Sequence, residues 1–406
     1  MANSSFDLTG SLAATRRASE QLNSVDQCSE ALAAMGRAIS QRQDDILEAN
    51  TLDLEISRDM AVPELVVDWL KLTPERVQTT AAIFNRLAAM GSFANRGCQP
   101  RAKGVCQDRP VGVVGFIYEA FPDLGAIAAA LSIRTGNAIV LKGGSEASRS
   151  NQIIASILQG TLDDIGLSQS LIFPVESTEV SRLDLNQCQG IDLVIAHGRP
   201  SLVQQIAKQA TVPVIASCMG NCYLYWSASG SLDQVYHMIV ESHSGTPDAV
   251  NRIEKVLVHE SHSENSLIRL WNRLQEVGFV LKADAAIAHS VSHSLVAVAD
   301  SEWNAAYLKR VVAFRQVKDG AAAISWINAH SSGHADSIVT ADYTESRRFI
   351  TGCRSASVYI NASPRFVRNA KQTENIALGM SNGKDVAGGL IGMDVMRSHQ
   401  RIFHSP

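Results

Sequence analysis

Arg109-Pro110-Val111-Gly112-Val113-Val114-Gly115-Phe116-Ile117-Tyr118-Glu119-Ala120 is the stretch on which the fold turns. Eight apolar or glycine residues from Val111 to Tyr118 are too few for a helix. Their β-branched and aromatic character suits a strand buried on both faces. Pro122 follows and opens an alanine-rich helix over 124–132. A second apolar run, Ala138-Ile139-Val140-Leu141, then leads into Lys142-Gly143-Gly144 and a helix from Ser148 to about Leu162. The same rhythm continues through Leu171-Ile172-Phe173, Leu193-Val194-Ile195 and Val212-Pro213-Val214-Ile215. Strands alternating with amphipathic helices predict a parallel, doubly wound sheet.

Upstream, residues 11–92 read as helices, with Leu12, Ala18, Leu22, Leu32, Met35, Ile39 and Ile46 at helical spacing. Thr73-Pro74-Glu75-Arg76 is a capped helix start. Downstream, a second α/β series begins near Leu232. It runs through Val256-Leu257-Val258, Val296-Ala297-Val298, Ala313-Phe314 and Ser337–Thr340 to Ser357–Asn361. The expected layout is helices and a nucleotide-binding domain over 1–235, with 97–108 as an excursion, then an α/β domain over 236–376 and a return over 377–406.

Bulk properties narrow the function classes. The chain has 406 residues, 46% hydrophobic and 19% charged, with a net charge of −4. That describes a globular protein without a basic field for nucleic acid or a polybasic membrane patch. Nothing approaches the ~20 apolar residues of a membrane span, and residues 1–10 lack the pattern of a secretion signal. Seven scattered cysteines suit reduced thiols, so a cytoplasmic protein is expected.

The Arg109–Ala120 stretch closely resembles R-P-L-G-V-I-G-V-I-Y-E-A of γ-glutamyl phosphate reductase, a member of the aldehyde dehydrogenase superfamily. Thr135-Gly136-Asn137 through Glu146-Ala147, Gly220-Asn221-Cys222, the segment holding His330, His334 and Asp336, and Asn361-Ala362-Ser363-Pro364-Arg365-Phe366 extend the resemblance over nearly the whole chain. It implies an aldehyde-dehydrogenase-like fold with two doubly wound α/β lobes and a small oligomerisation hairpin. The activity it implies is NADPH-dependent reduction of L-glutamate 5-phosphate in proline biosynthesis.

Position 250 departs from that family. Pro247-Asp248-Ala249-Val250-Asn251 stands where the family reads P-S-V-C-N, so Val250 occupies the place of the nucleophilic cysteine. Valine has no lone pair with which to attack an acyl phosphate. Phe121-Pro122-Asp123 replaces the family's R-P-N, which removes a cation and adds a carboxylate at the substrate position. Ala377 stands where the family has a glutamate near its C-terminal motif. Where the wider superfamily carries a glutamate upstream of the nucleophile, this chain has Ala216 and Ser217.

The resemblance places a nucleotide, NADP, near Lys142, Gly143, Gly144 and Glu146, with Lys142 offering a cation to a ribose hydroxyl or a 2′-phosphate. Gly198 and Arg199 precede a helix whose free amides suit a pyrophosphate. Arg199 replaces a family glycine there, and either blocks the phosphate or contacts it. Retained and vestigial nucleotide sites both remain open.

Cys222 matches a family cysteine and reads as packing, and Ser244 would need His243 or His259 as a base. The spacings His259-x-x-His262 and His289-x-x-x-His293 can chelate zinc but lack a third ligand, so no metal is expected. Trp271, Trp303 and Trp326 read as isolated core or subunit-contact residues.

The leading expectation is a catalytically degraded member of the family with a regulatory or structural role in an assembly. Its alternatives are an active NADPH-dependent oxidoreductase with a non-standard site, and a nucleotide sensor. A homo-oligomer is expected, with a further protein partner for the degraded reading.

Overall fold

The computed structural model describes residues 7–22, 24–91, 104–176, 180–244, 249–290, 295–369, 375–382 and 388–403. The chain divides into two compact units. The first comprises Met1–Ala216, Asn369–Leu378 and Ile391–Pro406; the second comprises Ser217–Arg368 and Gly379–Leu390.

The first unit opens with helices α1 (Leu8–Ser19), α2 (Val25–Gln41), α3 (Gln43–Asp59), α4 (Glu64–Leu70) and α5 (Pro74–Ala89). Helix α5 starts where the sequence predicts: the Thr73 hydroxyl accepts the Arg76 N–H and Pro74 occupies the first turn. Strand β1 (Gly104–Pro110) pairs antiparallel with the strand Arg397–Phe403, in the register Gly104↔Phe403 to Pro110↔Arg397. The expected 97–108 excursion is therefore half of a two-stranded ribbon from Gly104 onward; 97–103 lie outside the described residues.

Next come β2 (Val113–Tyr118), α6 (Pro122–Arg134), β3 (Ala138–Lys142), α7 (Ser148–Asp164), β4 (Ile172–Pro174), α8 (Arg182–Asn186), β5 (Leu193–His197), α9 (Pro200–Gln209) and β6 (Val214–Cys218). Its parallel strands run in the order β6-β5-β2-β3-β4. Every residue of β2, β3 and β5 is buried, as the unbroken apolar runs require. Val113, Ile117, Val140, Val194 and Ile206 belong to one of its cores.

The second unit contains β7 (Cys222–Trp226), α10 (Leu232–Ser242), β8 (Ile253–His259), α11 (Glu264–Glu276), β9 (Val280–Ala283), α12 (Ala285–Ser290), β10 (Val296–Ala297), β11 (Val311–Val317), α13 (Gly320–His330), β12 (Ala335–Val339), α14 (Tyr343–Gly352) and β13 (Ser357–Ile360). Its sheet is parallel, in the order β10-β9-β11-β8-β7-β12-β13.

This division differs from the one expected. Strand β7 and the first four residues of α10, Leu232–Val235, fall within the expected first domain, yet β7 lies between β8 and β12 in the second sheet. The expected single return over 377–406 is also split. Met380–Ser381 pairs with Gly389–Leu390 and with Ser217–Cys218 in the second unit, while 391–406 belongs to the first. No described helix is long and apolar enough to cross a membrane.

Candidate functional site

In a doubly wound sheet, ligands rest outside the carboxyl ends of the strands. At that edge of the first unit a cavity of ≈ 560 Å³ is lined by Tyr118, Gly143, Gly144, Ser148, Asn151 and Glu176, among others. Gly143 is needed for packing: a Cβ there would stand 2.1 Å from Asn151 Nδ2 and 3.1 Å from the Tyr118 ring. The Tyr118 hydroxyl in turn donates to Asn151 Oδ1 at 2.9 Å. Of the residues expected around a nucleotide, Gly143 and Gly144 line this cavity, and Lys142, Glu146, Gly198 and Arg199 are not among its lining residues.

Lys142 is the first exception. It is buried, and its ammonium donates to the Glu176 carbonyl at 2.7 Å. Glu146 accepts the Ala120 amide at 2.7 Å, holding a non-glycine residue at φ +57° just after β2. Arg199 neither stands open to a phosphate nor merely fills space. Its backbone N–H and Nε each donate to Glu119 at 3.0 Å, and Nη2 donates at 2.6 Å. The nearly buried Glu119 carboxylate is thereby matched by one guanidinium. Gly198, at φ +147°, leaves room for Glu119, whose Cβ would be 2.9 Å from an added methyl.

The altered substrate positions also carry compensation. Asp123 is not a bare carboxylate: Arg76 Nε donates to it at 3.1 Å and Nη2 at 2.5 Å, with both side chains mostly buried. The adverse charge expected at 123 is therefore neutralised within the first unit. Phe121 is fully buried, stacked on Trp69 with ring centroids 4.9 Å apart and edge-on to His197 at 5.1 Å. Ala377 is buried as well.

In the second unit, Val250 is fully buried. Its carbonyl accepts the Gly220 N–H at 2.9 Å and lies 3.1 Å from His334 Nε2. Asn251 is buried and donates its amide to the Pro364 carbonyl at 2.8 Å. Pro247 lies outside the described residues. Cys222 Sγ is 3.3 Å from His334 Nε2, and Ser332 Oγ is 2.9 Å from His334 Nδ1. Burial drives His334 down to about 4, so its ring is neutral at pH 7. Burial, with Asp336 and Glu254 adding, pushes the Cys222 thiol well above the usual thiol range. Cys222 is thus a protonated thiol in a core, not an activated nucleophile.

Ser244 donates to the Glu241 carbonyl at 2.6 Å, and His243 lies 2.9 Å from the Ile253 carbonyl, so no serine–histidine pair forms between them. His259 is bonded to Ser261, while His262 bonds the Ser227 carbonyl and stacks on Trp226. His289 and His293 fall outside the described side chains. Among the described residues no group of three or more His, Cys, Asp or Glu suits a metal. Trp303 and Trp326 are not isolated: their rings meet edge to face at 5.9 Å.

Sequence reasoning missed the buried pair beside position 250. Glu254 accepts backbone N–H groups of Asn221, Tyr307 and Leu308 at 2.7–2.8 Å. Lys255 donates to the Ala305 carbonyl at 3.1 Å and sits 3.5 Å from the Tyr307 ring centre. Burial lowers Lys255 to about 8. The available signal was two adjacent charges inside the otherwise apolar run Ile253–His259.

Comparison with known proteins agrees with this architecture. A family model described as the aldehyde dehydrogenase family matches residues 7–294. Gamma-glutamyl phosphate reductase 2 of Synechocystis sp. is 44% identical over 92% of this chain and 91% of its own length. Gamma-glutamyl phosphate reductase of Gloeobacter violaceus is 33% identical over 90% of this chain and 88% of its own. The crystal structure of gamma-glutamyl phosphate reductase from Thermotoga maritima superposes with a TM-score of 0.89 at 26% identity, covering 98% of this chain and 99% of that one.

Proposed function

The chain belongs to the aldehyde dehydrogenase superfamily and, within it, to the γ-glutamyl phosphate reductase family, and from that premise we propose that it reduces an acyl phosphate with a nicotinamide dinucleotide and without a covalent enzyme intermediate. The observation that carries the reading is the cavity at the carboxyl edge of the first sheet, framed by Gly143, Gly144, Ser148 and Asn151. A reduced nicotinamide held there would supply the hydride that, with a proton from solvent, converts an acyl phosphate to aldehyde and inorganic phosphate. An acyl phosphate is already an activated carbonyl, so the balance needs no thioester. Gly143 and Gly144 let the backbone approach the nucleotide, and Ser148 and Asn151 offer it polar contacts. Val250 contributes packing in place of a nucleophile.

A second reading rests on that same residue. The fully buried Val250, with Phe121 sealed against Trp69, supports a regulatory or structural role in an assembly, without turnover. Either role suits a homo-oligomer built with the ribbon of β1 and Arg397–Phe403.

One assay separates the readings: consumption of NADH or NADPH with γ-glutamyl phosphate, before and after iodoacetamide. Turnover in the ordinary enzyme range of ~1–10³ per second, insensitive to alkylation, supports the non-covalent reductase. Loss of turnover on alkylation would refute the non-covalent step. No turnover with nucleotide still bound would leave a sensor, and no turnover with no nucleotide bound would leave the structural role.

A further inference from the structure

We propose that the cavity of the first unit selects a dinucleotide with a free adenosine 2′-hydroxyl, NAD(H), over the 2′-phosphorylated NADP(H), and that Glu176 makes the selection. The inference rests on the nucleotide reading above and concerns which nucleotide the cavity takes.

Strand β3, helix α7 and strand β4 form one βαβ unit, and Glu176 lies two residues beyond the carboxyl end of β4. An acidic residue at the end of the second strand of such a unit accepts hydrogen bonds from ribose hydroxyls; a 2′-phosphate needs an arginine or lysine there instead. Among the described residues lining the cavity, Glu176 alone carries a formal charge, and no lysine or arginine lines it. The remaining polar groups, Tyr118, Ser148, Asn151, Gln152, Ser156 and Gln159, are neutral. They suit hydroxyls and an adenine ring but cannot balance a phosphate dianion.

Lys142 is the cation that the sequence offers to a 2′-phosphate. In the fold its side chain is 3% exposed and its ammonium is held 2.7 Å from the Glu176 backbone carbonyl. It braces the segment that presents Glu176 rather than lining the cavity. The Glu176 side chain, by contrast, is exposed. A 2′-phosphate would therefore meet a carboxylate with no lining cation to offset it, while a 2′-hydroxyl would find an acceptor.

The test is binding, not turnover. The purified full-length protein is titrated with NADH and with NADPH by nicotinamide fluorescence, and with NAD⁺ and NADP⁺ by calorimetry. NADH is expected to bind at least about tenfold more tightly than NADPH, with the ratio narrowing as salt rises because Glu176 is exposed. Glu176→Gln should bring the two nucleotides within about threefold, and Glu176→Arg should invert the preference. An exposed position makes misfolding of either variant easy to exclude by circular dichroism. NADPH binding as tightly as NADH in the wild type, or a ratio unmoved by Glu176→Arg, would overturn the selection while leaving the nucleotide reading intact. Failure of both nucleotides to bind at millimolar concentration would overturn both.

Discussion

Replacing Glu254 by glutamine tests whether the backbone beside position 250 is held by one carboxylate. Glu254 Oε2 accepts the Asn221 and Tyr307 amides, each at 2.8 Å, and Oε1 accepts the Leu308 amide at 2.7 Å. A glutamine has one oxygen. Its better orientation keeps that oxygen on Asn221 and Tyr307 and turns its NH₂ toward the Leu308 N–H, donor against donor. The orphaned buried amide costs about 1–3 kcal/mol. The two remaining bonds lose their charge assistance, at about 1 kcal/mol each. Relief from burying a charge offsets part of this, leaving a net loss of about 2–4 kcal/mol. Glu254→Ala orphans all three donors and should lose more. Four of the five tryptophans, Trp226, Trp271, Trp303 and Trp326, lie in the second unit, so tryptophan fluorescence during urea unfolding reads mainly that unit. With a slope of ~1–3 kcal/mol/M, the midpoint of Glu254→Gln should fall by about 1 M or more. An unchanged midpoint would refute the account, because three buried amides would then have found acceptors elsewhere.

Three further outcomes are expected. Val250→Cys should cost about 1 kcal/mol for the lost methyl and leave reductase turnover within about tenfold of wild type; a larger gain in a steady-state assay would mean that the neighbouring losses matter little. Arg76→Ala strands the mostly buried Asp123 carboxylate and should lower stability by about 3 kcal/mol, whereas Asp123→Asn should cost less, as thermal unfolding would report. Acid should weaken the second unit: burial holds His243 and His334 at about 4, so their contribution is full above 6.5 and is lost as pH falls through 4, at about 3 kcal/mol each. Asp336, raised by burial to about 6, acts oppositely and returns about 3 kcal/mol as pH falls from 6 to 3.8. Glu254, also raised by burial, acts in the direction of Asp336, so the histidine contribution is read by difference: His334→Gln should lessen any loss of unfolding free energy between pH 7 and pH 4, and an unchanged pH dependence would contradict the sign.

The strands and helices were legible because fully buried parallel strands write themselves as apolar runs bounded by glycine and proline. That same uniformity hid which sheet each strand joins. Cys222–Trp226 reads alike in either unit, so the boundary moved from 235 to 216 once its pairing with β8 and β12 was visible. At the candidate site, Gly143 and Gly144 were legible because backbone freedom is a property of one residue. The fates of Arg199, Asp123 and Lys142 were not. Each depends on a partner far along the chain: Glu119, Arg76 and the Glu176 carbonyl respectively. A charge shows its position in a sequence but not its counterion. The carboxylate at 123 is paired with Arg76, a partner that lies outside the motif and that motif comparison does not show.

The ribbon of β1 with Arg397–Phe403 also sets a schedule for synthesis. Residue 104 leaves the ribosome almost 300 residues ahead of its partner, Phe403, an interval of roughly 15–60 s at ~5–20 residues per second. Throughout that time the whole second unit is made and β1 presents an unpaired edge. An open strand edge is a template for pairing with other nascent chains. The aromatic and charged residues of the late strand are thus a closing clasp, and polysomes crowded with this message are where misassembly between copies would begin.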